Sequence, residues 1–209
     1  PITITMDGQC LVPDGTDEYA RNIYAQLRAG KVVTTAQINN ETWKEAFEAL
    51  LKAGNDVLAI VFSSGLSGTC QAAMLAAQEL RPKYPERQIE VIDSLCASMG
   101  EGLLVHYALQ KRAEGLTLQE NAAWVKDHVQ HLAHWFTVDD LMFLLRGGRV
   151  SAASAYLGTM MRIKPILNVD EEGHLIPREK VQGRKRSVHR LLGKMKEHVV
   201  DPEQQTVFI

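Results

Sequence analysis

The sequence predicts an α/β protein with two domains, a mainly parallel α/β/α domain over residues 1–133 and an α+β domain over residues 134–209. Strand-like and helix-like patterns alternate through the first part, which is typical of a parallel sheet covered by helices. Near Trp135 the order changes to two adjacent strands followed by a helix, which indicates a second unit. The chain has 209 residues, of which 45% are hydrophobic, so it can bury a substantial core.

The first domain is predicted to combine short apolar strands with amphipathic helices. Strands are predicted at residues 2–6, 57–62 and 89–92. Five helices are predicted. The first covers 17–29, the second follows a cap at Asn39 or Asn40, and the third follows the loop after residue 62. The fourth begins at Gly100, and the fifth follows a Thr117–Glu120 capping box. Residues 32–37 form a short segment with a polar tip.

The second domain follows a different order of elements. We predict a strand at 136–138, a helical turn at 139–145, and a hairpin at 163–169 and 175–181 before an amphipathic helix. Residues 151–161 are small and apolar. The chain begins at Pro1 and ends at 206–209 in strand-like patterns. Because a strand needs neighbours, we expect the natural protein to continue at both ends and the second domain to be incomplete at its C-terminus.

A loop rich in serine and glycine, Ser63 to Thr69, joins a predicted strand to a predicted helix. Such a loop offers free backbone N–H groups to an anion, and its hydroxyls can donate to a carboxylate or phosphate. The alternative is a capped turn, with Ser67 or Thr69 as the helix cap. The loop lacks the lysine of a P-loop and the spacing of a nucleophile elbow. We therefore interpret it as a cradle for the acidic head of a ligand.

Asp93 and Ser94 end the next predicted strand. The carboxyl ends of parallel strands meet at one edge of a sheet, which is where ligands of open α/β sheets bind. We expect the two hydroxyl clusters to converge on one crevice and to hold a carboxylate without a cation. The alternative is that Asp93 caps the following helix or turn.

Two cationic stretches could serve a ligand or a partner. Arg146-Gly147-Gly148-Arg149 places two guanidinium groups around a glycine pair, and arginine suits carboxylate or phosphate. The segment 178–196 carries eight lysines and arginines against Glu179 alone. It could be a solvated face, a nucleic-acid patch, or a docking surface for an acidic or phosphate-bearing partner. The lack of aromatic residues there and the net charge of −2 argue against nucleic acid.

Other classes of function find little support in the sequence. His128, His131 and His134 fan across a helix, which disfavours a shared metal. The three cysteines have no metal-like spacing and indicate a reduced protein, which we expect to be cytoplasmic. We find no catalytic motif, no cofactor motif and no apolar run of membrane-spanning length.

Six motifs, taken in their order, resemble the DegV family of bacterial lipid-binding proteins. They are Thr34–Gln37, Ser63–Thr69 with Gln71, Ile92–Ser94 followed by Ala97–Gly100 and Gly102, Arg146–Arg149, Ile163–Leu167, and Lys180–Lys185. Each motif alone is weak, whereas the ordered set covers nearly the whole chain. Two positions depart from the family pattern, Val61 where members often carry threonine and Ala36 where serine is usual.

The resemblance implies a long-chain fatty acid in a tunnel between two domains, with its carboxylate held by hydroxyls of the first domain. Some members present the fatty acid to a separate kinase, which makes an acyl phosphate for phospholipid synthesis. The ligand-binding residues that the resemblance implies are Ser94, Ser63, Ser64, Gly65, Thr35 and Arg149. The residues whose charge suits the acyl phosphate or the partner are Arg149, Arg184, Lys185 and Arg186.

These observations lead to the hypothesis of a fatty-acid carrier that is not itself an enzyme and needs no cofactor. One alternative is a small-molecule phosphotransferase on a related scaffold, for which the sequence shows neither a P-loop nor a suitably placed histidine. Another alternative is a module that binds protein or nucleic acid through the basic segment 178–196.

Overall fold

The structure of the chain, a computed structural model, describes residues 2–150 and 163–209. The small apolar run at 151–161 lies outside these residues. The described strands are β1 (Thr3–Met6), β2 (Gln9–Leu11), β3 (Val33–Ala36), β4 (Val57–Val61), β5 (Ile89–Asp93), β6 (Trp135–Thr137), β7 (Ile163–Val169) and β8 (Leu175–Gln182). The described helices are α1 (Asp17–Arg28), α2 (Asn40–Lys52), α3 (Thr69–Leu80), α4 (Ser98–Ala113), α5 (Leu118–His128), α6 (Met142–Arg146) and α7 (Arg184–His198).

The parallel pair β4–β5 forms the centre of an α/β/α arrangement. The two strands pair in parallel, with Val61 opposite Asp93. Successive side chains of a strand point to opposite faces. Accordingly, Val57 and Val61 pack with α2 and α3, whereas Leu58 and Ile60 pack with α4 and α5. Because helices cover both faces, the loops at the carboxyl ends of the strands are the places left for a ligand.

The first sheet differs from the expected continuation of a mainly parallel sheet. β1 is antiparallel to both β2 and β3, so β4–β5 is the one parallel pairing among the described strands. Asp7 and Gly8 join β1 to β2 with φ angles of 52° and 78°. Two positive φ angles are typical of a two-residue hairpin turn, which returns the chain antiparallel to itself. β3, in the segment with the polar tip, pairs with the other edge of β1.

Two predicted helix caps are confirmed. Asn39, rather than Asn40, caps α2 and accepts a hydrogen bond from the amide of Thr42 at 2.9 Å. At the start of α5, Thr117 and Glu120 form the complete capping box. These side chains satisfy amides that the first turn of a helix leaves without partners, which explains where both helices begin.

The hairpin and the helix that follows it are also confirmed. β7 pairs antiparallel with β8 on one edge and with β6 on the other, and α7 packs on this sheet. The prediction of a strand at 206–209 is wrong, because a strand needs an edge to pair with and these residues pair with none of the described strands. Phe208 instead lies against His106 of α4, with ring centroids 5.3 Å apart. The division between residues 133 and 134 stays a prediction.

Candidate functional site

Ser63 and Ser94 lie just past the carboxyl ends of β4 and β5, and both residues are fully buried. The amide of Ser94 donates to the carbonyl of Val61 at 3.0 Å, and the amide of Ser63 donates to the carbonyl of Cys96 at 2.9 Å. These bonds continue the strand pairing into the loops. The parallel order of the strands therefore brings the two hydroxyl-bearing loops side by side.

The backbone amides of residues 64–67 in the Ser/Gly loop already have acceptors within the chain. The amide of Ser64 donates to Asp93 Oδ1 at 3.1 Å, and that of Gly65 donates to Ser63 Oγ at 3.1 Å. The amides of the next two residues both donate to the carbonyl oxygen of Ser63. The expectation of free N–H groups for an anion is thus wrong for these four residues, because each amide supplies a single donor. An acidic ligand has to be met by side chains here.

The second half of the loop starts α3. The N-cap residue is Gly68, so neither Ser67 nor Thr69 occupies the cap position that the capped-turn alternative assigns to them. Their hydroxyls nevertheless serve the helix start, since Ser67 Oγ accepts from the amide of Thr69 at 3.3 Å. Thr69 Oγ1 accepts in turn from the amide of Ile38 at 3.3 Å. These two hydroxyls are committed to local structure.

The hydroxyls of Ser63 and Ser94 differ in where their protons go. Ser63 Oγ donates to the backbone carbonyl of Gly173 at 2.9 Å. Ser94 Oγ accepts from the amide of Cys96 at 3.1 Å, and within residues 2–150 and 163–209 its own proton meets no oxygen or nitrogen acceptor, only the Cys96 thiol, which is a weak one. A serine hydroxyl has one proton to donate. Ser94 is therefore the buried hydroxyl of this pair whose proton is available to a ligand.

The turn between β7 and β8 packs directly on the Ser/Gly loop. A Cβ atom at Gly173, where φ is 80°, would collide with Ser63 Oγ and lie 3.2 Å from Cα of Leu95. A Cβ atom at Gly65 would lie 2.7 Å from the carbonyl oxygen of Glu172. Backbone approaches backbone at both places, which requires glycine. The sequence predicts the hairpin that contains this turn, but no spacing rule could pair the turn with Ser63.

Cys96, whose amide binds Ser94, lies near two other titratable side chains, His134 and Glu101. Cys96 Sγ lies 3.4 Å from His134 Nε2. Burial raises the pKa of the Cys96 thiol to about 12 and lowers the pKa of the His134 imidazole below its usual value. Burial also raises the pKa of the Glu101 carboxyl to about 6. At neutral pH the imidazole is uncharged and supplies no cation to a carboxylate bound by Ser94, and the neutral thiol adds no repelling negative charge.

Of the histidines that the sequence places three apart, His128 and His131 lie edge to face with ring centroids 5.2 Å apart, whereas His134 lies elsewhere. His128 stacks on Trp124 with ring centroids 3.9 Å apart, whereas His134 contacts Cys96. The described residues hold no group of three or more His, Cys, Asp or Glu side chains that could bind a metal ion. Across the same described ranges, no helix has both the length and the apolar character needed to cross a membrane.

Arg149 contacts the Ser/Gly loop, whereas Thr35 does not in the part of the chain that the structure describes. Arg149 is exposed, and its Nε donates to the carbonyl of Leu66 at 3.2 Å. Thr35 is exposed on β3, opposite Ile4 of β1. Arg149 is thus held at the rim of the loop, and the ligand-binding roles of both residues stay predictions.

The predicted basic surface is smaller than the segment 178–196. Arg190 and Lys194 form ion pairs with Glu179, and the hydrogen bond from Arg190 lowers the pKa of Glu179 to about 2. The first three residues of α7, residues 184–186, are all exposed, and Arg184 forms a long, exposed ion pair of 3.9 Å with Asp139. An open groove of about 630 Å³ is lined by Val181, Lys185, Arg186, His189 and Arg190. The charge that a partner could meet therefore centres on residues 184–186.

Comparison with known proteins places the chain in a family. A family model described as "Uncharacterised protein, DegV family" matches residues 1–209. A DegV domain-containing protein of Clostridium perfringens is 41% identical over 186 residues, which are 89% of this chain and 64% of that protein. The chain thus spans less than two thirds of the length of that relative.

Solved structures agree with this assignment. A DegV family protein from Thermus thermophilus, described by its fatty acid binding, shares 30% identity and a TM-score of 0.79, covering 94% of this chain and 68% of its own. The Fatty Acid Kinase (Fak) B3 protein of Streptococcus pneumoniae, loaded with linoleic acid, has a TM-score of 0.82 at 24% identity, which shows a common fold. The match covers 94% of this chain and 69% of the Fak B3 chain. The resemblance carried by the ordered motifs is confirmed, and the chain belongs to the DegV family.

Proposed function

We propose that this chain binds a long-chain fatty acid and holds its carboxylate through the hydroxyl of Ser94. The observation that carries the proposal is the buried Ser94 hydroxyl at the carboxyl end of a parallel strand, whose proton meets no oxygen or nitrogen acceptor in the described residues. The fatty acid binding described for the Thermus thermophilus relative supports the choice of ligand.

The chemistry of the surroundings suits a carboxylate that is bound by neutral donors. A carboxylate only accepts hydrogen bonds, and bonds to an ionised group are about twice as strong as neutral ones. In this proposal Ser94 supplies the central donor, Ser63 and Ser64 supply further hydroxyls, and Gly65 leaves room for the head group. Arg149 and Thr35 act at the rim.

In the same proposal the chain is a carrier that presents the fatty acid to a partner fatty acid kinase. The exposed cations at residues 184–186 would meet the partner or the acyl phosphate, because arginine and lysine bind phosphate and carboxylate. The groove beside them, of about 630 Å³, favours one second candidate, a module that docks an acidic protein segment without lipid.

The ligand can be identified from an organic extract of the purified protein. We expect mass spectrometry to find long-chain fatty acids, and protein stripped of lipid to take up added oleate or palmitate. A protein that carries no lipid and takes up neither fatty acid would contradict the proposal. Consumption of ATP by the chain alone with a small-molecule substrate would point to the phosphotransferase instead.

The kinase step can be separated from lipid binding by reversing charge. Replacing Arg184, Lys185 and Arg186 by glutamate should leave oleate binding intact and reduce acyl-phosphate formation by a fatty acid kinase. A matched control reverses Arg21 and Arg28, which are exposed on α1. Equal acyl-phosphate formation by both variants would remove residues 184–186 from the partner surface.

A further inference from the structure

We propose that the turn Asp170–Gly173 is a latch, a segment that docks on the candidate site and is released when a ligand binds. A ligand carboxylate releases it by replacing the Gly173 carbonyl as the acceptor of the hydrogen bond from the Ser63 hydroxyl. The inference rests on the proposed binding of a fatty acid. It adds a moving part, and it gives Ser63 a second role as a positioning residue.

The Ser63 hydroxyl has one proton to donate and two possible acceptors, the Gly173 carbonyl and a ligand carboxylate. The hydroxyl donates to the carbonyl of Gly173 at 2.9 Å while it accepts from the amide of Gly65 at 3.1 Å. A carboxylate can only accept. Ser63 can therefore serve a carboxylate only when Gly173 gives up the bond. The two hydrogen-bonded arrangements exclude each other.

The turn can separate from the Ser/Gly loop without losing its internal hydrogen bonds. The Asp170 carboxylate accepts from the amides of Glu172 at 3.0 Å and His174 at 2.8 Å, and the amide of Gly173 donates to the carbonyl of Asp170 at 3.0 Å. These bonds lie within the turn, so it can undock as a unit, whereas docking buries Gly173 and so shields the amide bonds of the turn from water. Hydrogen bonds that hold the turn to the first part of the chain come from Ser63 and from Gln130 Nε2, which donates to the carbonyl of Glu171 at 2.9 Å.

The negative charges of the turn also oppose the binding of a carboxylate at Ser63. Asp170, Glu171 and Glu172 make the turn acidic, and His174 lies 3.5 Å from Asp170 and 3.6 Å from Glu172. A carboxylate placed at Ser63 would stand beside these like charges, and like charges at short range repel. Docking of the turn and binding of an acidic head group at Ser63 therefore oppose each other both in hydrogen bonding and in charge.

Hydrogen–deuterium exchange of the peptide that covers residues 170–174 tests the latch, with oleate binding measured on the same samples. In the wild type, saturating oleate should make exchange in this peptide faster, on the order of fivefold for the loss of one net hydrogen bond. In Ser63→Ala the exchange should already be fast without oleate, and oleate should add nothing.

Gln130→Ala is the matched control, because it removes the other bond to the turn but leaves the contested hydroxyl in place. This variant should start with faster exchange and keep the response to oleate, which a purely structural role of Ser63 would not explain. Ser63→Cys, with similar size and a weaker donor, should lie between wild type and Ser63→Ala, and it replaces Ser63→Ala if that variant does not fold.

Three results would overturn the latch. The first is oleate binding with unchanged or slower exchange of the 170–174 peptide in the wild type. The second is a full response to oleate in Ser63→Ala. The third is the absence of any oleate binding, which contradicts the proposed function itself and is recognised from the binding measurement rather than from the exchange data.

Discussion

The hydroxyl of Ser63 donates a hydrogen bond to the backbone carbonyl of Gly173, which lies 110 residues further along the chain. This bond joins the end of the central parallel pair to the turn of the antiparallel hairpin. It also leaves Ser94 as the buried serine of the site whose proton meets no oxygen or nitrogen acceptor in the described residues. The two serines therefore have different environments, although both follow the carboxyl ends of neighbouring parallel strands.

The close contact between the loop and the turn predicts that Gly65→Ala destabilises the protein. The new Cβ would lie 2.7 Å from the carbonyl oxygen of Glu172, which is backbone and cannot rotate away. We expect a loss of about 1–3 kcal/mol in the free energy of unfolding, measured by urea denaturation.

Gly102→Ala provides the control for that experiment. Its Cβ would meet the ring of Phe208 at 3.8 Å, an ordinary contact, and alanine favours a helix by up to about 1 kcal/mol over glycine. This variant should be as stable as the wild type or more stable. Equal stability of Gly65→Ala and Gly102→Ala would show that the turn does not dock on the loop as described.

The buried carboxyl of Glu101 predicts a stability difference that depends on pH. Burial raises its pKa from 4.5 to about 6, so the folded protein holds this proton more tightly than the unfolded chain. The contribution to stability is complete below pH 4.5 and is lost as the pH rises through about 6. Glu101→Gln should therefore stabilise the protein at pH 7, by about 1 kcal/mol after allowance for partial solvation, and have little effect at pH 4.

Urea unfolding at the two pH values measures this effect. Glu45→Gln on the exposed face of α2 is the control and should change stability equally at both pH values. A gain for Glu101→Gln of the same size at pH 4 and pH 7 would show that ionisation of this carboxyl is not the cause.

The burial of two of the three cysteines predicts that one thiol of the native protein reacts quickly with a thiol reagent. Cys10 is exposed, whereas Cys70 and Cys96 are buried with thiol pKa values raised to about 11 and about 12. Because the thiolate is the reactive form, a thiol reagent at pH 8 should modify Cys10 quickly and the other two only after unfolding. Cys10→Ser should abolish the fast phase, and a fast phase that persists in this variant would contradict the described burial.

The core of the α/β part could be predicted because it follows from local patterns. The strand β4 is visible as the continuous apolar run that starts at Val57, because helices cover both of its faces. The caps Asn39 and Thr117 are recognised as side chains that can accept from an amide three residues later. Such signals act within one turn of chain, so a single sequence carries them.

Pairing across long distances could not be predicted in the same way. The antiparallel sheet depends on the positive φ angles of Asp7 and Gly8 and on which edge β3 chooses, and neither is fixed by hydrophobic alternation. The long-range contacts of the candidate site could not be predicted either. Sequence patterns placed Ser63 and Ser94 at neighbouring strand ends, but the acceptor of the Ser63 proton is a backbone carbonyl, which has no signature in the sequence.

The role assigned to Ser94 predicts weaker binding of fatty acids by Ser94→Ala. A hydrogen bond to an ionised group contributes about 1.5–3 kcal/mol, so the dissociation constant for oleate should rise about tenfold or more. Competition with a fluorescent fatty acid measures this change. Thr42→Ala, on the exposed start of α2, should bind oleate as the wild type does.

Carbon-13 NMR of oleate labelled at its carboxyl carbon tests the central claim most directly, because it reports on the head group itself. The bound carboxyl resonance should be resolved from that of free oleate in the wild type and in Thr42→Ala, and it should shift in Ser94→Ala as the carboxylate loses its buried donor. A bound resonance at the same position in the wild type and in Ser94→Ala, or no bound resonance at all, would contradict the assignment of Ser94 as the residue that holds the carboxylate.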